Sequence, residues 1–193
     1  MIRRHIKTSR KIRKPRNKLK EQAVLNSLLN PLRVRRARRA AVSAISPLVE
    51  CSRQKFGAVS DETWSDPYVI GFIVMLITVA ARESCRNLDE DSLCLVQILA
   101  WQDITSQYSG LIGEEILLLS QTPNAEFDDG CRDGLVLGKL LAAYQARTGA
   151  MSAADQSWEA AAMPADPSKD CILATWSQLF GRHVSLHESP LCR

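Results

Sequence analysis

The chain of 193 residues has only three histidines, His5, His183 and His187, and none between residues 6 and 182. A histidine general base inside the main body of the chain is thereby excluded. Aromatic residues make up 6% of the total, and residues 1–55 contain none. Base stacking, the usual second half of single-strand recognition, is therefore missing from that stretch. Acids are scarce in the same region, where Glu21 stands alone among residues 1–40. No C-x-x-C spacing joins any of the six cysteines, Cys51, Cys85, Cys94, Cys131, Cys171 and Cys192. With no apolar h-region after the basic start, these read as reduced thiols of an intracellular, cytoplasmic protein. Sustained period-2 alternation is absent, as is any repeat of roughly 20–50 residues. What remains is ordinary globular usage, 46% hydrophobic and 24% charged. That excludes collagen-like, mucin-like, wholly disordered and multi-span membrane chains.

Charge is distributed very unevenly. Residues 1–40 hold 15 of the 25 Lys and Arg against one acid, a net +14, whereas residues 41–193 carry a net −10. The overall +4 thus joins a basic arm to an acidic body, which points to a polyanionic partner, a targeting segment or contact between arm and body, and the arm is also compatible with a presequence or a misassigned start. Residues 1–18 are too densely charged to fold alone. Leu25, Leu28, Leu29 and Leu32 have helical spacing up to a break at Pro31. Val34, Ala37, Ala41 and Ile45 then share one side of a second short helix, Arg33, Arg35, Arg36, Arg38 and Arg39 crowd the rest, and Pro47 ends it. Residues 47–63 read as a linker, so 1–59 form an arm, 60–182 a helical domain and 183–193 a tail.

The body predicts an all-α, compact bundle of about six helices. Asp66 caps a helix with Pro67 at its first position. The run Tyr68–Ala81 is apolar on every side and shorter than the roughly 20 residues of a bilayer span, so it reads as a central buried helix. Further helices are expected over 91–108, where Asp91 caps, over 111–121, and over 128–147, where Asp128 caps. Two more follow, over 152–162 with Ser152, Asp155 and Trp158, and from Ser168 to Phe180. In the 128–147 helix, Gly130, Gly134, Gly138, Ala142 and Ala146 recur every fourth residue. Glycine inside a helix costs about 1 kcal/mol relative to alanine. A close helix crossing offsets that cost, and Tyr68–Ala81 is the expected neighbour.

No catalytic set emerges. The carboxylate pairs Glu114-Glu115 and Asp128-Asp129 read as dipole-matched surface charge or caps, since adjacent helical residues do not face each other. The segment Gly110–Gly113 lacks the Lys-Ser/Thr end of a P-loop. His183 and His187 are four apart, but Gly181 and Pro190 argue against the helix a zinc pair needs. No metal or cofactor is expected, and the four tryptophans read as core. The leading expectation is a non-catalytic helical interaction or regulatory protein. Its arginines at 33, 35, 36, 38 and 39 meet an anionic partner, and a protein partner or self-association is compatible with it. One alternative is a nucleic-acid-binding protein whose residues 1–40 contact the backbone. Another is membrane association through helix 68–81.

Overall fold

The computed structural model describes residues 16–107, 112–148 and 168–184, with side chains from Asn30 onward. Residues 1–15, the 152–162 helix with Trp158, Gly110, Gly149, His187 and Cys192 lie outside the described residues, as do the side chains of Leu25, Leu28 and Leu29. The described chain is all helical, with no strand.

Helix α1 runs unbroken over Arg16–Phe56, with Pro31 and Pro47 inside it. This corrects the expected breaks and the linker over 47–63. A helix-interior proline costs about 3 kcal/mol, yet both prolines are solvent-exposed, as is Ser43, whose carbonyl loses its donor to Pro47. The stripe Val34, Ala37, Ala41, Ala44, Ile45, Leu48 and Val49 keeps one phase through Pro47, and every member is buried. That burial is what carries the helix across the proline. It also corrects the expectation that only residues 60–182 supply the interior. Gly57, at φ +85°, ends α1 in the left-handed conformation, its N–H donating to the Arg53 carbonyl at 2.9 Å.

A single turn, α2 (Asp61–Trp64), is capped by Ser60. Helix α3 (Pro67–Ser84) starts as the sequence predicts, with Asp66 Oδ1 accepting from the Tyr68 N–H at 2.8 Å and Pro67 in the first turn. Helix α4 (Glu90–Thr105) is capped by Asp89, whose Oδ1 accepts from the Ser92 N–H at 2.8 Å. Asp91 instead lies in the first turn. After α5 (Ile112–Gln121), α6 (Ala125–Arg147) is capped by Asn124, four residues ahead of the expected cap at Asp128. Asp128 therefore sits in the first turn, where its charge suits the dipole. Helix α7 (Lys169–Leu179), capped by Ser168, leads into a 3-10 turn over Phe180–Arg182.

The apolar run of α3 forms the centre, with Val69, Ile70, Phe72, Ile73 and Ile77 fully buried. Helices α1, α4 and α6 cover it on separate sides, and α6 makes the most extensive contact. By length and composition α3 could cross a membrane; here helices surround it. Trp64 and Trp101 meet edge-on at 6.2 Å between ring centroids. Trp176 stacks on Phe180, and its indole N–H donates to Ser52 Oγ on α1 at 2.8 Å.

The α3–α6 crossing follows from small residues on both helices. A methyl at Gly130 would overlap the Tyr68 carbonyl, and one at Gly134 would lie 2.5 Å from the Phe72 carbonyl oxygen. At Gly138 it would meet the Val79 side chain at 3.0 Å. Gly71, which the sequence hid inside an apolar run, is the reciprocal member, because a methyl there would overlap the Phe127 carbonyl. Backbones this close leave room only for Cα–H groups facing carbonyls. Ala142 is half-buried and Ala146 exposed. A four-residue step overshoots a turn by about 40°, so the ridge rotates off the contact by its fifth member.

Candidate anion-binding face

The side of α1 opposite its buried stripe carries the arginines. Residues 35 and 39 are one helical step of four apart, and 36 and 39 a step of three, so Arg35, Arg36 and Arg39 are neighbours on one outer patch. All three are exposed. Among the described residues, none of them makes an ion pair. Like charges at such spacing oppose each other by about 0.2–0.5 kcal/mol per pair. The fold thus keeps an unfavourable cluster that it does not neutralise.

The other two arginines are placed differently. Arg38 forms a fork with Asp103 on α4, Nε to Oδ2 at 2.6 Å and Nη2 to Oδ1 at 2.7 Å. This hydrogen bonding raises the Arg38 pKa against the opposing effect of burial, with the Asp103 charge adding to the rise. Arg38 therefore fastens α1 to α4 and leaves the outer patch. Arg33 is half-buried near Asp89. The Asp89 carboxyl is held below its usual range by Ser92, first through the side chain and then the backbone, and further by Asn30 and Arg33. Asn30 also accepts from Ser92 Oγ at 2.9 Å. The start of α4 is thus tied to α1 by polar contacts.

The arginine row borders an open groove of about 300 Å³ between α1 and the α3–α4 connection, lined by Leu32, Arg33, Arg36, Ser84, Cys85, Arg86 and Asn87. Arg86 was not singled out by the sequence, because it lies apart from every charge run.

A second polar cluster joins His183, just after the 3-10 turn, to α3 and α6. The His183 ring stacks on Tyr68 at 3.9 Å, and its Nδ1 lies 3.2 Å from Asp66 Oδ2. Tyr68 donates its hydroxyl proton to Asp133 Oδ2 at 2.8 Å. These contacts clamp the cap of α3 between its neighbours. Among the described residues, no group of three or more His, Cys, Asp or Glu side chains could hold a metal. No protein-family model, curated protein or solved structure matches the chain.

Proposed function

We propose that this is a non-catalytic helical interaction protein that binds the phosphate backbone of a nucleic acid through the outer face of α1. The observation that carries the reading is the cluster Arg35, Arg36 and Arg39, exposed and, among the described residues, without an ion-pair partner, on a helix whose other face is core. Anchoring matters physically. Side chains on a helix fixed by Val34, Ile45 and Val49 lose less freedom on binding than the same residues on a loose arm. Arginine forks match phosphate oxygens, and the lack of aromatics over 1–55 directs contact to backbone rather than bases.

The test is binding of the full chain to duplex DNA of mixed sequence at about 50 and about 200 mM salt. Three neutralised phosphates correspond to a salt slope of about −2.7 and a loss of about 40-fold in affinity across that range. The Arg35→Gln, Arg36→Gln, Arg39→Gln triple variant should lower the magnitude of the slope by about 2.7 relative to the parent. Because the comparison holds residues 1–29 constant, it isolates the Arg35, Arg36 and Arg39 patch. No binding at low salt, or an unchanged slope in the triple variant, would contradict the proposal.

A further inference from the structure

The groove beside the arginine row has an unusual inventory of donors. Arg33 and Arg36 enter from α1, and Arg86 and Asn87 from the turn after α3. Its two hydroxyl or thiol groups are already committed. Ser84 Oγ donates to the Ala81 carbonyl at 3.0 Å, and the Cys85 thiol faces the Arg33 carbonyl at 3.7 Å. No carboxylate lines the groove. Among the described residues, none of the three guanidiniums closes an ion pair. Three arginines from two separate elements therefore line one space, and among the described residues none is committed to a carboxylate. Leu32, 63% exposed, forms an apolar rim.

We infer that this groove seats one phosphate group, with Arg86 completing from the α3–α4 turn a site that Arg33 and Arg36 begin on α1. A tetrahedral oxyanion offers several acceptor oxygens and suits guanidiniums arriving from different directions, as a planar carboxylate does not. The inference rests on the proposed backbone binding but adds a contact outside the basic segment. A diester of the nucleic-acid backbone would present its two non-bridging oxygens, and a free phosphate the same kind of acceptor in greater number.

The experiment compares the full-length protein with Arg86→Gln and Arg86→Lys, using duplex DNA and inorganic pyrophosphate as separate probes. A thermal melt controls for folding, and Arg86 is exposed, so the melts should coincide. If the backbone occupies the seat, Arg86→Gln lowers the magnitude of the DNA salt slope by about 0.9, and Arg86→Lys retains most of the slope but loses part of the affinity. If a free phosphate occupies it, pyrophosphate binding falls at least tenfold in Arg86→Gln while DNA binding is unchanged. Unchanged binding of both probes overturns the inference and leaves the Arg35, Arg36 and Arg39 reading standing. Failure of the parent protein to bind DNA removes that reading, and the seat then stands or falls on pyrophosphate alone.

Discussion

Cys131 illustrates how position on one helix decides the chemistry of a side chain. It lies half-buried on α6, and burial, followed by the nearby Asp128, pushes its thiol up to about 11. The thiolate is the reactive form, so Cys131 should label with a maleimide more slowly than the exposed Cys94 and Cys171 at neutral pH. Mass spectrometry of a labelling time course checks this, and equal rates would mean the thiol is not shielded. Tyr68 gives a stability prediction. Burial first, then the hydrogen bond to Asp133, raises its ionisation well above the ordinary value of 10.0. The fold favours the neutral hydroxyl, so its contribution is complete below the unfolded pKa and is lost as pH rises through the folded one. Denaturant melts from about pH 9 upward should show the parent losing stability faster than Tyr68→Phe. Parallel curves would contradict this. Of these residue-scale features the sequence showed Arg33–Arg39 as a charge run. It could not show that Arg38 is removed from the patch by Asp103, a partner 65 positions away.

Local pattern and long-range packing contribute unequally to the helices. The caps at Asp66 and Ser168 were legible because a short polar side chain before an apolar run has one good use. The spacing of Gly130, Gly134 and Gly138 was legible as a ridge, and its partner α3 was nameable as the most apolar segment. Gly71 was not, since one glycine among apolar residues carries no period. Of the three α6 glycines, Gly130 and Gly134, which face backbone, should respond more severely than Gly138. Gly130→Ala sets a methyl against backbone and should cost about 1–3 kcal/mol. Gly138→Ala meets only the Val79 side chain, which can shift, and should cost less. Equal melting temperatures for the two variants would mean the crossing is looser than described. The prolines misled for a physical reason. Their local penalty is real, but it is opposed by a buried stripe contributing about 1.5–3 kcal/mol per large apolar side chain. Pro47→Ala restores a backbone donor, and against the roughly 0.4–1 kcal/mol that proline gains from a restricted unfolded chain it should raise the melting temperature. A decrease would show that the proline fits α1 better than a continuous hydrogen-bond ladder does.

For the whole molecule, the charge boundary and the folding boundary fall in different places. Composition changes near residue 60, but the core begins by Val34. Charge asymmetry reports on partners and not on fold, and on α1 the exposed arginines and the buried stripe lie on opposite faces. Alanine-rich burial along Ala37, Ala41 and Ala44 allows close approach to the rest of the bundle, while Ile45 is fully buried beneath it. Ile45→Ala should therefore cost about 2–5 kcal/mol, a loss that no variant of a detached arm could produce.

Native-state amide hydrogen exchange on the full chain tests this account most directly. If α1 is core and presents its arginines from a fixed helix, amides over 37–49 will exchange with the same slow, cooperative opening as those of α3 over 70–81. Exchange of the 37–49 amides within seconds, while α3 stays protected, would show a detached basic arm and contradict the account.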